Sequence, residues 1–192
     1  MTREKLIKKF VAGKSILDIG SVGQTSKYNL WDLYPTFGIK KLTGIDIDLI
    51  TEENQSLFGD QSIVESADIV CGNMETYKFD NKFDIVVAGD VIEHVSNQGL
   101  FLDNIFRHLN KNGLLIITTP NAKWPTVFLK PNPTHAIWHD KYTISRILSM
   151  HNFTIKEFHY YRGNKKRYVF PLNILAWRQG MLVVCEKKES NS

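Results

Sequence analysis

Cysteine is scarce in this 192-residue chain: only Cys71 and Cys185 occur, both in strand-like apolar segments. They read as small buried apolar residues rather than as a disulfide, which excludes a disulfide-stapled scaffold. Long hydrophobic runs are missing too. No stretch approaches the roughly 20 apolar residues of a membrane-spanning helix, and no charged-then-apolar leader opens the chain. A cytoplasmic protein without a membrane span is therefore expected. Neither sign of charge dominates: 24 basic against 20 acidic residues leave +4, too small an excess to require a nucleic-acid partner. No repeat, low-complexity linker or second compositional zone interrupts the sequence.

What is present suffices for one domain with a sizeable core, since 43% of the residues are apolar. The stretch Lys14–Ser26 organises the rest. Ser15–Ile19 reads as a buried strand, with Ile16, Leu17 and Ile19 around Asp18; Gly20 and Gly23 follow, before a helix expected over 26–34. A strand that stops at glycine before a helix lets backbone N–H groups approach a ligand. In an α/β sheet, this is the strand end where ligands bind. Gly20 and Gly23 do not complete the dinucleotide pattern G-x-G-x-x-G. Lys41–Ile45 reads as a second strand delivering Asp46, whose carboxylate can accept from both hydroxyls of a ribose. Its rival Asp48 reads as the cap of a helix over 49–58. A weaker strand over 63–70 ends near Gly72, ahead of Asn73 and Met74. Phe83–Gly89 is unbroken and apolar, as in a parallel sheet, with Asp84 structural. Asp90, Glu93 and His94 follow its end.

The flanking segments read as scaffold. Thr2–Ala12 is expected to be an amphipathic helix, capped by Thr2, with Leu6, Ile7, Phe10 and Val11 inward. Asn97 caps another, with Leu102, Ile105, Phe106 and Leu109 inward and Asn112-Gly113 closing it. Leu114–Thr118 is a further buried strand, ending in Thr119-Pro120-Asn121 with Asn121 toward the substrate side. Periodicity fails from 122 to 140, where Pro125, Pro131 and Pro133 crowd; this stretch reads as a substrate-facing lid. His135 and His139 stand four apart there without a third ligand or a shared helix face, so no metal is expected. A helix starting near Asp140 or Thr143 and ending at Asn152 precedes strands over 153–161 and 180–186. The basic run 162–167 reads as a solvated loop, and 187–192 as a frayed end.

In order, Asp-Ile-Gly at 18–20, Gly-Ile-Asp at 44–46, Gly-Asn-Met at 72–74, Asp-Val-Ile-Glu-His-Val at 90–95 and Thr-Pro-Asn at 119–121 resemble a known motif series. It is that of class I S-adenosylmethionine-dependent methyltransferases. The resemblance implies an α/β, Rossmann-like fold: a largely parallel sheet of about seven strands, helices on both faces and a C-terminal antiparallel pair. It implies one domain over 1–192, with a leading helix at 1–13 and the lid at 122–140. It implies S-adenosylmethionine as cofactor, bound through Asp18, Gly20, Gly23, Asp46, Asn73, Met74 and Asp90. Asp18 would order the loop or meet the methionine amino group, Asp46 would hold the ribose, and Asn73 with Met74 the adenine. His94 or His135 would take the proton of an alcohol acceptor, while Glu93 reads more as a holder of its loop. The partner implied is a small-molecule acceptor, glycan-related or of the natural-product type, methylated at oxygen or nitrogen. The family's loop has glycine two residues after the first and again two beyond, where Val22 and Gln24 stand here. A nicotinamide-dependent oxidoreductase and a non-catalytic nucleotide-binding module of the same fold are the alternative readings.

Overall fold

The computed structural model describes residues 2–21, 30–48, 67–161 and 179–188. Its strands are β1 (Ser15–Ile19), β2 (Lys41–Asp46), β3 (Ala67–Cys71), β4 (Phe83–Gly89), β5 (Leu109–Pro120), β6 (Phe153–Tyr161) and β7 (Gly180–Lys187). They form one sheet in the order β3-β2-β1-β4-β5-β7-β6. The first five pair in parallel; β7 lies antiparallel between β5 and β6. The chain therefore starts mid-sheet and changes direction between β1 and β4, a topological switch point.

Helices cover both faces because the strands are apolar on both faces. Side chains alternate along a strand with period two. Ile16, Ile85, Val87, Ile116, Leu182 and Val184 face one way, onto Leu6, Ile7 and Val11 of α1 (Arg3–Val11) and Leu30 and Trp31 of α2 (Leu30–Leu33). Their neighbours Leu17, Val86, Ala88, Leu115, Ile117 and Val183 face the other way. They meet Phe101, Leu102 and Ile105 of α3 (Gln98–His108), and Ile144 and Leu148 of α5 (Lys141–Met150). Between these lies the short α4 (Pro125–Leu129). Each fully buried Leu or Ile contributes ~1.5–3 kcal/mol.

Local chemistry sets the element ends. Asn97 Oδ1 accepts the Leu100 N–H at 3.0 Å, and Asp140 with Thr143 forms a reciprocal capping box. Asp84 ties β1 to β4: it accepts from Ser15 N at 3.0 Å, from Ser15 Oγ at 2.9 Å and from Asn110 at 2.9 Å. Burial pushes this carboxyl up, but the three bonds prevail and hold it below its ordinary value.

Several expectations need correction. Helix α3 ends at His108, not at Asn112-Gly113, because Leu109 is already extended. Lys187 Nζ donates to the carbonyls of Phe106 (2.8 Å) and Leu109 (3.1 Å), so a side chain satisfies the helix end in place of a glycine cap. Lys187 is thus part of β7, and Lys188 N donates to Asn152 O; neither is frayed. Cys185 is buried as expected, but Cys71, at the end of edge strand β3, is exposed. Thr2 occupies the first N-cap without a side-chain capping bond. The stretch 122–140 is irregular except for α4. The expected helix over 49–58, positions 26–29 of the helix over 26–34 and the basic run 162–167 lie outside the described residues.

Candidate active site

Five parallel strands bring their carboxyl ends to one edge of the sheet. Gly20 ends β1 with φ +79° and donates its N–H to Ile45 O at 2.9 Å. A Cβ there would approach Val91 Cγ2 to 2.6 Å, so only glycine lets the β1 loop pass the turn after β4. Asp18, 1% exposed, accepts the Tyr34 hydroxyl on Oδ1 at 2.9 Å. Among the described residues its buried Oδ2 has no hydrogen-bond partner. Burial pushes this carboxyl up to about 7; the Tyr34 bond and the Arg3 charge offset only part of that. Asp46 is buried at the end of β2, its Oδ1 accepting Asp48 N at 3.1 Å and its carbonyl accepting Gly72 N at 2.7 Å.

Asp90 follows β4 in the left-handed region, at φ +56°, which Asp tolerates better than most residues. Arg3 of α1 donates to its Oδ2 at 2.9 Å, and Thr118 Oγ1 donates to Oδ1 at 3.2 Å. The leading helix is thereby anchored at the end of β4.

The turn 91–94 faces the lid. Glu93, 1% exposed, accepts Thr119 Oγ1 on Oε2 at 3.0 Å, whereas its buried Oε1 has no partner among the described residues. Burial, and next the Asp90 charge, raise this carboxyl above its usual range. The Glu93 carbonyl accepts Ala136 N at 2.8 Å, and His94 Nδ1 lies 3.0 Å from Thr134 O. These bonds fasten lid to turn. The rings of His94 and His135 meet edge to face, 4.6 Å between centroids. Burial, then His94, lowers the His135 pKa, which keeps it neutral at pH 7.

The candidates from sequence thus divide. Asp18, Gly20, Asp46 and Asp90 share the sheet edge, and His94 and His135 touch. His139 does not join them: it is buried, with Nε2 at 2.9 Å from Gln98 Nε2, and acts as a brace. Asn121 is fully buried, its Oδ1 accepting Lys123 N at 3.1 Å. Asn73 is exposed and its Oδ1 accepts Glu75 N at 2.8 Å, closing an Asx turn. The Met74 side chain lies in the core, and its carbonyl accepts Asn104 Nδ2 at 2.8 Å. Gly23, with Val22 and Gln24, lies outside the described residues. Sequence reasoning missed Arg3, because a charge on an amphipathic helix reads as solvated. Glu93 holds its turn through Thr119 and Ala136, in line with its sequence reading, but a lone Glu carries no signal of its burial.

A Rossmann-like sheet with this strand order and acids at the ends of β1 and β2 defines the class: a class I methyltransferase fold. The N-methyltransferase NodS from Bradyrhizobium japonicum superposes with a TM-score of 0.69 at 15% identity, over 97% of this chain and 95% of that one. An S-adenosylmethionine-dependent methyltransferase from Methanosarcina mazei does so at 0.67 and 16%, over 96% and 98%. At such identities the likeness speaks for the fold alone. A family model described as a methyltransferase domain matches residues 2–158, and the chain belongs to that family. The ubiquinone biosynthesis O-methyltransferase of Bradyrhizobium diazoefficiens is 32% identical over 89 residues, 46% of this chain and 35% of that protein. Its counterpart in Rickettsia prowazekii is 26% identical over 139 residues, 49% and 55%. The matched part thus spans between 35% and 55% of these two relatives' own length.

Proposed function

We propose that this chain is an S-adenosylmethionine-dependent methyltransferase that places a methyl group on an oxygen or nitrogen of a small molecule. The carrying observation is the pair of buried acids at the ends of β1 and β2 beside the obligatory glycine at 20. The unpartnered Oδ2 of Asp18 fits a cationic amino group, and Asp46 fits two ribose hydroxyls. The group to be bound supplies a methyl carbon already activated by positively charged sulfur.

The residues then have separable tasks. Asp18 holds the amino group or orders the loop, and does so better as it loses its proton above about pH 7. Asp46 holds the ribose. Gly20 and Gly23 are assigned to the methionine portion. Asn73 keeps an acceptor lone pair beyond the one taken by Glu75 N, and with Met74 it borders the adenine. Asp90, fixed by Arg3, borders the donor end. His94 or His135 accepts the proton of a hydroxyl acceptor, and neutral His135 is in the right state to do so. The lid over 122–140 excludes water and aligns the acceptor in one domain spanning 1–192.

A small hydroxylated acceptor, glycan-related or of the natural-product type, agrees with the O-methyltransferase names of the relatives. A cytoplasmic location belongs to the same reading; among the described residues, no helix is long and apolar enough to cross a membrane. Calorimetric titration with S-adenosylmethionine, S-adenosylhomocysteine and NAD, repeated on Asp46→Ala, tests the proposal. Saturable binding of the two sulfur ligands alone, weakened by the substitution, is expected. Binding of NAD alone would replace it with an oxidoreductase, and binding of none with a non-catalytic module.

A further inference from the structure

The turn after β4 and the lid bring together three metal-ligating side chains from two separate segments. One donor atom each from Glu93, His94 and His135 lies within 4.8 Å of the other two. We propose that these three residues form a binding site for one divalent transition-metal ion, of the Zn2+ kind, that joins the lid to the 91–94 turn.

The donors are already arranged for this task. Glu93 Oε2 is held by Thr119, leaving Oε1 buried with no hydrogen bond among the described residues. An unpartnered carboxylate oxygen in the interior calls for a cation or a proton. His94 Nδ1 lies 3.0 Å from the carbonyl of Thr134. A carbonyl only accepts, so Nδ1 carries the proton and Nε2 presents its lone pair. That outer hydrogen bond is how ligating histidines are commonly oriented. His135 lends one ring nitrogen and gives up at most its bond to the exposed Asn132 amide.

Ligand type selects the ion. Two imidazoles and one carboxylate suit Zn2+ and its transition-metal neighbours, whereas Mg2+ and Ca2+ prefer oxygen ligands throughout. Two ligands on a tetrahedral Zn2+ stand ~3.4 Å apart at bonds of ~2.0–2.1 Å. The trio must therefore contract a little, and exposed His94 has the freedom to do so. Three protein ligands leave an open position, as in catalytic rather than structural zinc sites. On the methyltransferase reading, that position would take an acceptor hydroxyl; with both histidine lone pairs on the ion, its proton passes to solvent water in place of the histidine base, so this role rests on the function proposed above.

Sequence spacing offers His135 and His139, four apart, as a metal pair without a third ligand. The fold separates that pair by turning His139 onto Gln98, and brings Glu93 and His94 to His135 from about 40 positions earlier in the chain, beyond the reach of local spacing.

The test is metal binding itself, which needs no turnover and stays separate from the calorimetry of the sulfur ligands. Tag-free, metal-stripped protein is titrated with Zn2+ against a chromophoric chelator, and with Co2+ while its visible spectrum is followed. One equivalent of Zn2+ and a Co2+ spectrum with nitrogen ligation are expected. His94→Ala and His135→Ala should each weaken Zn2+ binding about 10- to 100-fold, while His159→Ala, at a surface histidine paired with Glu157, should not. His94 is exposed, so its variant is expected to keep the fold, checked by circular dichroism. Absence of saturable binding, or binding that both variants leave unchanged, overturns the proposal.

Discussion

Asp18 and Glu93 are two buried acids, from the β1 strand and the turn after β4, with the same bonding pattern. Each has one oxygen hydrogen-bonded to a hydroxyl, Tyr34 or Thr119, and one with no hydrogen-bond partner among the described residues. Burial raises both. Their neighbours differ. Asp18 has the turn at Gly20 ahead of it, a setting for a close-fitting ligand, and the nearby Arg3 charge favours its ionised form. Glu93 has Asp90 on one side and two histidines on the other, a setting for proton transfer or a metal. Identical burial thus yields two chemistries, and what separates them is the company each strand end keeps.

The sharpest break in this comparison is at the point where the two regions touch. Gly20→Val sets a branched side chain at φ +79° against Val91, where even a Cβ reaches 2.6 Å. A loss of ~3–4 kcal/mol in urea unfolding is expected, together with loss of cofactor binding. Asp18→Asn tests the donor side alone. The folded chain holds the Asp18 proton up to about 7, so its stabilising share is complete below the ordinary carboxylate range. That share is lost as pH rises from about 4 to about 7, because the unfolded chain has already released the proton. The Asn variant lacks this loss, so above pH 7 it should be the more stable form by roughly 3 kcal/mol, read as melting temperature against pH.

On the acceptor side, His135→Ala should leave donor affinity unchanged while lowering kcat about 10²-fold. A change in donor affinity instead would merge the two regions into one. Asp46→Ala should do the reverse and weaken donor binding about tenfold or more, ~1.4–2.7 kcal/mol, by calorimetry. Lys156→Ala lies far from this division. Its ion pair with Glu186 spans 2.8 Å between side chains 51% and 31% exposed, so less than ~0.5 kcal/mol of stability is expected to change.

Much of the frame was legible in advance. β1, β2 and β4 read as strands because Ile, Leu and Val crowd both faces, and Asn97 and Asp140 mark helix starts by their short polar side chains. Legibility failed where a distant residue replaced a local signal. Lys187 caps α3 in place of glycine, Gln98 draws His139 inward, and Arg3 reaches Asp90 across 87 positions. None of these partners lies within the few residues over which sequence patterns operate.

The sequence by itself determined the sheet, its class and the acids at its strand ends, because strand periodicity and glycine requirements are local and survive without knowledge of contacts. Only the tertiary structure decided which histidines meet, which acid lies unpartnered beside them and that the leading helix is tied to the end of β4. Those outcomes depend on long-range packing, where burial removes water and lets the nearest side chain, rather than the nearest residue in sequence, set the chemistry.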